Sequence, residues 1–183
     1  MDRLRIGKAE LELSVGDITA QPDVDAIVNA ANAQLQTGGG VAGAIHRAAG
    51  PGLAEECAPM APIRPGECVV SGGHDLPNPH VLHCLGPVYG QDEPADQLLA
   101  SCYYEALRLA EAHALRSVAF PAISTGAFGY PLREAAQVAI DVMLDALRSA
   151  VHVEVVRFVL FSPSDHEVFA EVLAERADLD QSS

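Results

Sequence analysis

Tryptophan is absent from the 183-residue sequence and aromatic residues make up only 5% of it. An extended stacking surface is therefore excluded, and any aromatic residue near a candidate site gains weight. Positive charge is also scarce: 11 Lys and Arg, with Lys8 the sole lysine, face 25 Asp and Glu, for a net charge of −14. A protein that grips phosphate backbones or anionic lipid carries a basic stripe. This composition excludes general nucleic-acid affinity and membrane-surface binding. No stretch approaches the roughly 18 to 20 apolar residues that span a bilayer, and the opening Met1-Asp2-Arg3-Leu4-Arg5 has no apolar run of the kind found in a secretion signal, so a cytoplasmic location is expected. The four cysteines, Cys57, Cys68, Cys84 and Cys102, form no C-x-x-C pair and sit in apolar surroundings, so all four are expected to be core thiols.

What is present suits one domain of ordinary size, expected over residues 1–177 with a polar, frayed tail at 178–183. In Glu10-Leu11-Glu12-Leu13-Ser14-Val15 the apolar residues alternate, which predicts a half-buried strand. Asp25 to Asn29 is short and continuously apolar, and reads as a strand covered on both faces. Helices are predicted over Val41–Ala49, closed by Gly50-Pro51, and over Leu98–His113, Pro131–Ala150 and Asp165–Ala177, each with an apolar stripe at helical spacing. Further strands are predicted at Cys68–Ser71, Val81–Cys84, Ser117–Phe120 and Val153–Phe161. This alternation implies an α/β fold with a largely parallel sheet and helices on both faces. Ligands of such sheets bind at the carboxyl ends of the strands.

Two glycine-rich loops stand at strand-to-helix junctions: Thr37-Gly38-Gly39-Gly40-Val41-Ala42-Gly43 and Ser124-Thr125-Gly126-Ala127-Phe128-Gly129-Tyr130-Pro131. Glycines let several main-chain N–H groups converge on one anion at a helix N-terminus, so a phosphate can be held without a cation. A tight, mobile turn is the alternative for either loop alone; two at equivalent junctions favour an anion site. The first loop also satisfies G-x-G-x-x-G, but Asn32 to Thr37 separate it from the strand, which disfavours a dinucleotide-binding oxidoreductase. Asp17 follows the early strand and suits either a turn or the acceptance of a hydrogen bond from an amine. Asn29 and Asn32 are amides at a strand end; the expectation is that one ties down its loop and the other meets a ligand. His80 and His83, three apart on a strand, face opposite ways, and no shared metal site is expected. Ser124 and Thr125 suit contacts to phosphate better than nucleophilic attack, because nothing nominates a partner base.

Taken in order, Gly16-Asp17-Ile18-Thr19, Asp25 to Asn32, Gly38 to Gly50 and Ala119 to Pro131 resemble the macrodomain family near its MacroD-like branch, over about Leu11 to Leu173. The resemblance implies a three-layer α/β/α domain with a mostly parallel, mixed central sheet and a cleft for ADP-ribose, with no metal or cofactor. It implies that Asp17 takes the adenine amine and Ile18 gives an adjacent main-chain contact. Gly38, Gly39, Gly40 and Val41, with Ser124, Thr125, Gly126, Ala127 and Phe128, would wrap the diphosphate. Asn32 would serve catalysis at the distal ribose, Phe128 would pack on that ribose, and Phe161 would lie beside the adenine. Ala42 stands where MacroD-like hydrolases usually carry Asp. The activity implied is release of mono-ADP-ribose from acidic side chains of modified proteins, with O-acetyl-ADP-ribose as a second substrate; the alternative is a reader that binds ADP-ribose without turnover.

Overall fold

The computed structural model describes residues 2–182. The elements run β1 (Arg3–Ile6), β2 (Ala9–Val15), β3 (Ala26–Ala30), α1 (Gly40–Ala49), α2 (Gly52–Cys57), β4 (Cys68–Gly72), β5 (His80–Cys84), α3 (Ala95–Ala112), β6 (Ser117–Phe120), α4 (Leu132–Ala146), β7 (Val155–Leu160) and α5 (Pro163–Gln181). One seven-stranded sheet has the order β1-β2-β7-β6-β3-β5-β4. Its five central strands are parallel and its two edge strands antiparallel. The three-layer mixed α/β architecture expected above is the one observed. No helix among the described residues is long and apolar enough to cross a membrane.

Strand alternation builds two separate cores. Leu11, Leu13, Val28, Phe120, Val156 and Phe158 point to one face, where α3, α4 and α5 cover them with Leu99, Tyr103, Ile140, Met143, Phe169 and Leu173. The ring of Phe158 lies 5.3–5.8 Å from those of Tyr103, Phe120 and Phe169. Such tilted contacts add roughly 0.5–1.5 kcal/mol per pair beyond the burial itself. Ile27, Val81, Ala119 and Val159 point the other way, under α1 and α2 with Ile45, Leu53 and Cys57. With both sides covered, β3 is buried over its first four residues, the apolar Ala26, Ile27 and Val28 and the amide Asn29.

Three expectations need correction. Cys57 and Cys102 are buried free thiols, but Cys68 and Cys84 are joined as a disulfide. The strand β4 runs antiparallel to β5, which sets these two residues directly opposite with their Cα atoms 4.2 Å apart, a pairing that apolar periodicity does not reveal. The last helix, expected to end at Ala177, continues to Gln181, and Asp180 there pairs with Arg148. The helix expected to reach Ala150 ends at Ala146 and tightens into a 3₁₀ turn over Leu147–Ser149.

Candidate functional site

Both glycine-rich loops open at the carboxyl edge of the sheet. The first follows β3 and enters α1, whose N-cap, Gly39, has no side-chain hydrogen bond. A helix start leaves its first N–H groups without intrahelical partners, so this end presents donors to the space before it. Gly40 has φ +56°, in the left-handed region that glycine adopts without strain. Gly43 matters for space rather than for backbone angle. A side chain there would run into the carbonyl of Gly38, so its absence lets the loop fold down on the helix.

The second loop follows β6. Ser124 sits at φ +68°, uncommon for a residue with a side chain. The turn is closed by Tyr130 N–H donating to Ser124 O at 2.9 Å and Gly129 N–H donating to Gly126 O at 3.0 Å.

Between the loops lies a cavity of about 300 Å³, walled by Ala30, Ala31, Asn32, Gly38 to Ala42, Ala122, Ser124, Gly126, Ala127 and Phe128. No Lys, Arg, His, Asp or Glu contributes to this wall. Ser124 lines this wall, and its hydroxyl is buried with no hydrogen-bond partner. A hollow of about 360 Å³ beside Tyr104 and Asp145 lies at the opposite edge, near the start of β7. Strand ends, not starts, carry ligands in such sheets.

The two asparagines both bond groups of the protein itself, one across the sheet and one within its own loop. Asn29 is buried, with Nδ2 3.1 Å from His83 Nδ1. The other ring nitrogen of His83 lies 2.8 Å from Ser71 Oγ, and burial pushes the imidazole down to about 4, so it is neutral near pH 7. Asn32 reaches the cavity wall, while its carboxamide clasps its own loop: Nδ2 donates to Gln36 O at 2.8 Å and Oδ1 accepts from Gln36 N–H at 3.0 Å.

Asp17, Ile18, Thr125 and Phe161 do not line the cavity. Thr125 turns its hydroxyl to Ala122 O at 2.8 Å. Asp17 and Phe161 follow β2 and β7, which are neighbours in register Val15↔Leu160, so both stand farther along the same edge. The ring of Phe161 is 93% exposed. Bonds from the Thr19 hydroxyl (2.7 Å) and then its N–H (2.9 Å), both to Oδ1, hold the Asp17 carboxyl below the usual carboxylate range. The side chain of Ile18 is buried in the core under α1, so only its main chain faces outward chemistry.

Residues that sequence reasoning passed over include Ala30, Ala31 and Ala122 in the wall, and Gln21 and Arg157 behind Asp17. Arg157 had a signal, the one charge in the apolar run Val155 to Phe161. Among the described residues no group of three or more His, Cys, Asp or Glu could hold a metal ion.

The Macro domain family model matches residues 28–139. A macro domain-containing protein of Caldanaerobacter subterraneus is 44% identical, covering 92% of this chain and 98% of that protein. An O-acetyl-ADP-ribose deacetylase of Citrobacter koseri is also 44% identical, covering 93% and 99%. A solved Oceanobacillus iheyensis macrodomain with ADP superposes with a TM-score of 0.92 at 39% identity, covering 96% of each chain. A Trypanosoma brucei macrodomain in complex with ADP-ribose does so at 0.82 and 38%, covering 88% of this chain and 68% of that one. With the family model spanning more than half of the sequence and relatives aligned almost end to end, the chain belongs to the macro domain family.

Proposed function

We propose that this protein binds ADP-ribose at the carboxyl edge of the sheet and hydrolyses mono-ADP-ribose from acidic side chains of modified proteins, with O-acetyl-ADP-ribose as a second substrate. One observation carries the reading: the cavity between the two glycine loops has no charged side chain in its wall. A diphosphate there would meet main-chain N–H groups of Gly38 to Val41 and Ser124 to Phe128 and the N-terminus of α1. Converging amides and a helix dipole stabilise an anion without a cation. Asp17 would accept the adenine amine, Ile18 would give a main-chain contact beside it, and Phe161 would lie against the base. Two similar proteins lend support, the Citrobacter deacetylase and the Trypanosoma macrodomain in complex with ADP-ribose.

Both substrates present the same bond, an ester between the distal ribose and a carboxylic acid. Hydrolysis adds one water across it and leaves ADP-ribose and either the free side-chain carboxylate or acetate. Asn32 would orient the distal ribose and Phe128 would pack on it. Ala42 offers no base, so a phosphate oxygen of the substrate is left to organise the attacking water. The cavity's contribution is position: holding the ester and water together removes the entropy cost of their encounter. A cytoplasmic setting and modified proteins as partners belong to the same proposal.

The test is calorimetric titration with ADP-ribose followed by a release assay on a mono-ADP-ribosylated acceptor with the same preparation. Binding plus release is expected. Absence of binding by a folded protein overturns the proposal. Binding without release over hours at micromolar protein leaves a reader of ADP-ribose, the second reading, which the lack of any titratable side chain in the cavity wall favours.

A further inference from the structure

Arg157 occupies an inner position of β7, on the face that carries Val159 into the core under α1 and α2. Its side chain is 16% exposed and its guanidinium serves three partners. It donates to Glu12 on the adjacent strand β2 at 3.0 Å, to both carboxylate oxygens of Asp23 at 2.9 and 2.7 Å, and to Gln21 Oε1 at 2.9 Å. A rigid fork of five donors is suited to such a junction.

Gln21 passes the constraint on. The residue is 9% exposed, and while Oε1 takes the arginine, Nε2 donates to the main-chain carbonyl of Asp17 at 2.9 Å. That carbonyl also accepts Ala20 N–H at 3.0 Å. From the other side, buried Asn78 donates through Nδ2 to the carbonyls of Gln21 and Val24, at 2.7 and 2.8 Å. The segment that begins at Asp17 is therefore braced from β7 and from the chain before β5. Both bonds from Thr19 fall on Asp17 Oδ1, which leaves Oδ2 for a ligand. A surface turn closes with its own hydrogen bonds; a glutamine–arginine strut behind it is additional, and it ends on the residue with the free carboxylate oxygen.

We infer that Gln21, held by Arg157, is a positioning residue that sets the Asp17 carboxylate and through it the preference of the site for a purine bearing a 6-amino group. The inference rests on the proposed role of Asp17 as acceptor for that amine. Hydrogen bonds weaken steeply with misalignment, so a carboxylate free to drift discriminates poorly between an amine donor and a carbonyl acceptor at the same place.

The experiment compares ADP-ribose with inosine diphosphate ribose, which carries a 6-oxo group, by calorimetric titration of wild type, Gln21→Ala, Gln21→Glu, Asp17→Ala and the Asp17→Ala/Gln21→Ala double variant. Gln21→Glu keeps an acceptor for Arg157 and the side-chain volume, and replaces the N–H donor to Asp17 by a carboxylate oxygen with one added negative charge. Both Gln21 variants are expected to lower the preference for ADP-ribose by about five- to tenfold, the effect of one hydrogen bond. The double variant is expected to match Asp17→Ala, because Gln21 acts through that residue. Equal weakening toward both ligands, or additive losses in the double variant, overturns the inference. A preference that falls with Asp17→Ala and not with either Gln21 variant overturns it while sparing the role of Asp17. A preference untouched by Asp17→Ala overturns both.

Discussion

The hydroxyl of Ser124 fills the space that a side chain at Gly86 would need. A Cβ built on that glycine falls directly on Ser124 Oγ and 2.6 Å from Ile123 Cγ2. Gly86 lies two residues beyond the end of β5, and Ser124 lines the cavity, so the missing side chain of one lets the other hold its place in the loop. Gly86→Ala is expected to destabilise the fold by about 1–3 kcal/mol, the usual cost of overpacking. It should also weaken ADP-ribose binding. Adding Ser124→Gly removes the nearest clash and should recover part of the stability but not the binding. Urea unfolding and calorimetry check this; a single variant with wild-type values for both would show that the contact is unimportant.

Asp17→Ala is expected to weaken ADP-ribose more than ribose phosphate, since only the former presents adenine. Titration of the variant with each ligand decides this, and equal losses count against the assignment. A hydrogen bond to a charged group contributes about 1.5–3 kcal/mol, so a loss of roughly ten- to a hundredfold is anticipated.

Asn32→Ala should reduce turnover more than affinity. It also removes the clasp on Gln36, so some loss of affinity comes with it. Ala42→Asp supplies the cavity with a carboxylate at the first turn of α1 and should raise the rate of ester hydrolysis; a general base contributes typically 10²- to 10⁴-fold, which sets the ceiling at about that range. Steady-state release assays on both variants provide the comparison, and a slower, well-folded Ala42→Asp protein would mean that this loop places water by other means.

The buried imidazole of His83 makes stability depend on pH. Desolvation first, and the nearby His46 second, lower its value in the folded state to about 4, while the unfolded chain titrates near 6.5. Between these values the unfolded state binds more protons. Stability is therefore complete above about pH 6.5 and lost progressively as pH falls toward 4, by on the order of 2–3 kcal/mol. Burial lowers His46 as well, in the same sense. Urea midpoints from pH 4 to 7.5 should show this slope, and it should flatten in His83→Gln.

Much of this was legible in the residues themselves. Alternation in Glu10 to Val15 and continuous apolarity in Ala26 to Val28 specify strands, and the apolar stripe from Leu98 onward specifies α3, because burial on one face or two leaves a pattern in the sequence. The helix α2 (Gly52–Cys57) is too short to show an apolar period. The Cys68–Cys84 link depends on an antiparallel register, and the Gln21–Arg157 contact joins residues 136 apart, so neither has a local signature. Buried amides call for partners; only packing reveals that Asn29 Nδ2 meets His83 while the carboxamide of Asn32 clasps Gln36.

A cavity without lysine or arginine in its wall has a bearing on ionic strength. Proteins that seize phosphates with cations lose affinity as salt rises, because each contact sheds a condensed or paired counterion. Here the long-range field of a chain with net charge −14 opposes an approaching anion, and dissolved salt screens that repulsion while leaving short contacts to amides intact. Capture of a nucleotide sugar by this molecule should therefore be level or faster in concentrated electrolyte, the reverse of the slope set by a basic pocket.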